Sequence, residues 1–85
     1  MKAARFNELT LVDKNWLVIE YGDYLISIEY YDYRVHLYSL NSLFIEMYQN
    51  IESRQVERIS IASGNDLNKF LSRILIGNFN RKIKG

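Results

Sequence analysis

The chain predicts an α+β protein: a single antiparallel β-meander of about five strands with one C-terminal α-helix packed on it. Three observations carry this. The stretch Tyr33 to Tyr48, YRVHLYSLNSLFIEMY, alternates with period two. Val35 and Leu37 interleave with Arg34, His36 and Tyr38, and Leu43, Ile45 and Met47 interleave with Phe44, Glu46 and Tyr48. Successive side chains point to opposite faces of a strand, so the pattern makes one apolar face and one charged, aromatic face. The connections between apolar runs are too short for parallel crossovers, which need about a dozen residues or more. Finally, Leu67, Phe70, Leu71, Ile74 and Leu75 recur at helical spacing and form one stripe.

Taken in order, residues 1–14 are open between two readings: Phe6, Leu9 and Thr10 suit a short helix, whereas Leu9, Thr10, Leu11 and Val12 suit a strand or extended segment, the preferred reading, ending in the turn chemistry of Asp13-Lys14-Asn15. The meander is expected over 16–62. Trp16 to Tyr21 is β-branched and aromatic and reads as its first strand. Gly22-Asp23 is a tight connection in which glycine can take φ > 0. Tyr24 to Tyr31 is the next strand, the central pair meets at Leu40-Asn41-Ser42, and Asn50 to Gln55 is a polar loop. Val56 to Ala62 is the last strand. Ser63-Gly64-Asn65-Asp66 offers helix N-caps, the helix is expected over 65–76, and Gly77 is placed to end it. Residues 78–85 read as a basic tail.

The 85 residues make one small domain with no cysteine for a disulfide or thiolate metal site. Glu8 and Asp13 interrupt what a signal peptide would need, and no apolar run approaches the ~20 residues that span a bilayer. The expectation is a soluble, cytoplasmic protein with no membrane contact. Net charge is +1, unevenly spread: residues 1–50 are net −3 and residues 51–85 net +4, the excess falling on the last helix and on Arg81-Lys82-Ile83-Lys84. A nucleic-acid domain usually carries a stronger basic bias.

The run YRVHLYSLNSLFIEMYQNIESRQVERI, with Tyr21-Gly22-Asp23-Tyr24 before it and the Leu67 to Ile74 stripe after it, resembles small uncharacterised bacterial proteins. In those proteins a strand ending near Tyr-x-Leu-Asn is followed by an aromatic-aliphatic-Glu strand, a polar hairpin and a charged-aliphatic strand. The resemblance covers about two-thirds of the chain and rests on strand patterns. It implies a meander with a C-terminal helix, and with no activity assigned to the family it supplies no catalytic residues.

No motif carries catalysis, and neither an enzyme nor a cofactor is expected. A sheet of five strands spaced ~4.8 Å apart is about 24 Å across, and one helix covers about 10–12 Å of it. The uncovered part points to the N-terminal segment, to curling of the sheet or to another subunit, and exposed apolar patches mark interaction surfaces. The expected role is therefore a non-enzymatic protein–protein interaction module, as a homodimer or with another protein, anchored by Tyr38, Phe44 and Tyr48. Phe70 and Ile74 read more simply as core. The alternative is single-stranded nucleic acid bound by the sheet tyrosines with Arg34 and Arg58. A remote third is a metal-dependent site around His36, Glu29 and Glu46, against which cross-strand ion pairing is the ordinary explanation.

Overall fold

The computed structural model describes residues 2–72. Their order is α1 (Ala3–Asn7), α2 (Leu11–Tyr21), β1 (Asp23–Tyr30), β2 (Tyr33–Leu40), β3 (Leu43–Asn50) and β4 (Val56–Ile61), followed by a helix, α3, over 64–72. The four strands form one antiparallel sheet in the order β1-β2-β3-β4. The meander from β1 onward is therefore as the sequence predicts. The part of the expected helix after 72, Ile74 and Gly77 included, and the basic tail lie outside the described residues.

The expected first strand is not a strand. Trp16 to Tyr21 is the second half of α2, and the segment expected to be extended holds α1 and the start of α2. Thr10 caps α2, its side chain accepting from the Asp13 backbone N–H at 3.2 Å. That satisfies one of the amide groups a helix start leaves without an intrahelical partner. Trp16-Leu17-Val18-Ile19 looks strand-like because both sides of the helix are apolar there, which hides the helical period. About four strands and three helical segments thus replace the expected five and one among the described residues.

At Gly22 the reason for glycine is space rather than handedness, since its φ is −83°. A Cβ built there would lie 2.6 Å from the Val18 carbonyl oxygen, a backbone atom that cannot rotate away. Gly22→Ala is expected to lower stability by about 1–3 kcal/mol, as overpacking does, read as a fall in thermal midpoint with unchanged circular dichroism. A midpoint equal to that of the native protein would show that the α2–β1 corner relaxes freely.

Both central hairpins close through two-residue turns whose first residue has positive φ, Tyr31 at 55° and Asn41 at 54°. Asn tolerates this region; an aromatic residue does so at a cost. The two-residue turn at Asn41-Ser42 pairs Leu40 with Leu43, so every odd-numbered residue of one strand meets an even-numbered residue of the other. Val35 lies beside Tyr48, Leu37 beside Glu46, and Tyr38 beside Ile45. The two apolar rows therefore sit on opposite faces of the sheet. The expectation of a single apolar face is corrected by this register: each face carries its own core and each needs its own cover.

The N-terminal helices cover the first face. Phe6, Val18, Leu40, Ile45, Met47 and Ile59 form its core, with α1 over β4 and α2 over β4 and β2. The second face buries Ile28, Val35, Leu37 and Tyr48 under Phe70 of α3. A reciprocal cap starts α3: the Asp66 carboxylate accepts from the Ser63 N–H at 2.8 Å, and the Asp66 N–H donates to the Ser63 hydroxyl at 3.3 Å. The Ser63 N–H first, and second the Ser63 hydroxyl, which also donates to the Asp66 carboxylate at 2.9 Å, hold the Asp66 carboxyl below its usual range.

Candidate interaction surface

The five residues singled out in the sequence divide between the two faces. Arg34 and Tyr38 lie on the face beneath α1 and α2, whereas Tyr48 and Arg58 are neighbours across β3 and β4 on the face beneath α3. Phe44 shares that second face, since it alternates with Ile45 along β3, and is half-exposed. Tyr38 is half-buried against Gly22 and Tyr24, its ring edge-on to Tyr24 at 5.5 Å. Burial first, and the Tyr24 hydroxyl second, push its phenol above the usual range. Tyr48 is buried, with the Arg58 guanidinium over its ring at 3.9 Å and Tyr33 edge-on at 5.5 Å. These tyrosines are occupied by packing, which leaves Tyr48 no open ring face on which a base could stack.

The histidine constellation is not assembled. His36 pairs with Met47 while Glu46 pairs with Leu37, so His36 and Glu46 are on opposite faces. His36 Nε2 is 2.9 Å from the Gln49 side-chain oxygen, a contact that places a proton on Nε2. Arg34 and Glu29 approach to 3.7 Å in an exposed ion pair, an arrangement worth little in water. Among the described residues, no group of three or more His, Cys, Asp or Glu side chains is placed to hold a metal ion. No described helix is long and apolar enough to cross a membrane.

Glu46 has another use. It is 1% exposed and meets the Lys69 ammonium from α3, with the Tyr48 hydroxyl donating to the same carboxylate oxygen at 3.4 Å. Lys69 also donates to the Asp66 carbonyl at 2.9 Å and lies about 5–6 Å from the ring centres of Tyr30, Tyr48 and Phe70. Burial lowers the Lys69 pKa, but the hydrogen bond and charge of Glu46 outweigh it, and the net direction is upward. The pair is a clasp between α3 and the sheet, with Glu46 buried and the Lys69 side chain 15% exposed.

The surface that sequence reasoning missed is on α2. Leu17 and Val18 turn inward, whereas Val12 is 77% exposed and Trp16 and Ile19 are each 56% exposed. At 100° per residue these three fall within about 60° of arc on the side opposite the buried one. Trp16 is steadied edge-on by Tyr21 at 5.7 Å. Tyr21, Tyr24 and Leu25, all about half-exposed or more, continue the apolar surface to the start of β1. The signal was in the sequence as the i, i+4, i+7 spacing of Val12, Trp16 and Ile19, interleaved with the inward-facing residues. Two shallow depressions flank Asn50 and Ile51 at the far end of the sheet, one walled by Arg34 and Arg54, the other by Tyr31 and Glu52. Both are open to solvent.

No family model, no curated protein and no solved structure matches this chain.

Proposed function

We propose that this protein is a non-enzymatic protein–protein interaction module that self-associates and presents the outer face of α2 to a partner. The observation that carries the reading is the Val12-Trp16-Ile19 stripe. It contributes nothing to the core on either face of the sheet, yet it exposes a tryptophan, a residue type enriched at binding hot spots. Asp13 and Glu20 both flank it on one side. Two α2 helices packed antiparallel would bring those flanks together, like charge against like. The stripe therefore suits a partner segment with apolar anchors and Lys or Arg beside them, and a second copy has to be accommodated elsewhere. Such use fits a cytoplasmic adaptor with no cofactor.

Solution mass by light scattering on a sizing column, at low and high salt, tests the self-association. A dimer at both is expected, because burial of apolar surface is not screened by ions. A monomer throughout would overturn it. Binding of a single-stranded oligonucleotide that weakens steeply with salt would instead support the nucleic-acid reading through counterion release.

A further inference from the structure

The second copy has a place to bind. Among the described residues β1 is an edge of the sheet: α1 and α2 lie over β4 and β2, and α3 packs on the sheet face through Phe70 against Ile28. The residues closing a two-residue hairpin form a hydrogen-bonded pair, which here is Tyr30 with Tyr33. Counting back along the antiparallel ladder, Ile28 and Ile26 are also bonded to β2, and the backbone N–H and C=O groups of Ser27 and Glu29 point to the open edge. The β2–β3 hairpin gives the same answer independently, since Leu40 with Leu43 as a bonded pair turns the groups of Arg34 and His36 towards β3. The middle of β1, Ile26 to Ile28, lacks edge protection: the strand contains no lysine or proline, and its charges Asp23 and Glu29 and its bulge at Leu25 lie to either side of that stretch. At the opposite edge, β4 is shorter and carries Glu57 and Arg58.

We propose that two copies of this chain pair antiparallel along β1, about a two-fold axis at Ser27, joining two four-stranded sheets into one of eight strands. This rests on the self-association argued above and names its site. Ser27 then exchanges both backbone hydrogen bonds with Ser27 of the copy. Ile26 faces Ile28 of the copy at non-bonded positions, where side chains approach most closely. The apolar layer under α3, which reaches the edge through Ile26 and Ile28, continues into the second subunit. No like charges are apposed: Glu29 falls opposite Leu25 of the copy. The two Glu29 residues are four positions apart, about 14 Å at strand spacing, beyond the Debye length of about 8–10 Å. Each α2 stripe stays free for a partner.

Three variants and one reporter test the arrangement. Ser27→Pro removes an N–H that β2 does not use and is expected to raise the dimer dissociation constant by about tenfold or more, a shift equivalent to roughly 1.4 kcal/mol, with an unchanged fold by circular dichroism. Ser27→Lys and Ser27→Glu, each placing like charges directly across the axis, are expected to weaken the dimer separately and to restore it when mixed. That rescue decides the matter even if the proline variant fails to fold. Trp16 is the only tryptophan, so its emission reports on α2; it is expected to stay red-shifted and open to iodide quenching as the dimer forms. A native dimer that persists in all three variants, with Trp16 shielded, would overturn pairing along β1 while leaving self-association standing. A native protein that is monomeric at every concentration would overturn both.

Discussion

Lys69→Met is expected to remove about 3–5 kcal/mol of stability, the usual loss when one partner of a buried ion pair is deleted and the other stays charged in the interior. Domains of this size are stable by only about 5–15 kcal/mol, so the urea midpoint should fall by about a fifth or more. Among the described residues Glu46 would keep the Tyr48 hydroxyl at 3.4 Å as its remaining donor, too little to replace an ammonium group. The double variant Glu46→Leu/Lys69→Met removes both desolvation penalties and is expected to recover most of the loss. If the single and double variants were equally destabilised, packing of the Lys69 stem would be the cause rather than the charge. Alkaline titration gives a second view. The folded pKa of Lys69 lies above its ordinary 10.5, so the stabilisation is complete below pH 10.5 and is lost as pH rises through the raised value. The native protein should therefore lose its advantage over the double variant only above pH 10.5; a difference that changed between pH 6 and 9 would contradict this assignment.

Phe6→Ala is expected to cost about 3–5 kcal/mol, the range for truncating a fully buried aromatic residue. Phe6 is the one buried residue of the five in α1, and a helix that short has no stability of its own. Its loss should free α1, raising amide exchange over Ala3–Asn7 beyond that of the sheet, and should uncover Ile45, Met47 and Ile59, part of the core that Phe6 packs against. A truncation costing under 1 kcal/mol, with α1 still protected, would mean that α2 alone covers that face.

These two side chains mark where sequence reasoning succeeded and where it stopped. The strand character of Tyr33 to Tyr48 was legible because a period of two survives any tertiary context that buries one row of side chains. The start of α3 was legible because Ser63 and Asp66 make their cap locally. Trp16-Leu17-Val18-Ile19 was misread because a helix apolar on both sides loses the contrast that reveals its period. The Thr10 cap with Asp13 three positions on was the local clue. Glu46 read as a surface charge in an alternating strand. Its burial depends on Lys69, 23 residues later in the chain, and no local pattern links the two.

By itself the sequence determined the strands from β1 to β4, their antiparallel order and the helix that follows them, since alternation, short connections and capping act between near neighbours. Only the tertiary structure decided which apolar row faces which helix. The two-residue turn at Asn41-Ser42 offsets the strands by one position and sends the two rows to opposite faces, and that calls the N-terminal segment into service as a helical cover. The same step turns Tyr38 and Tyr48 inward and leaves Val12, Trp16 and Ile19 outside, because a face already sealed by Phe6 and Val18 has no room for the second side of α2.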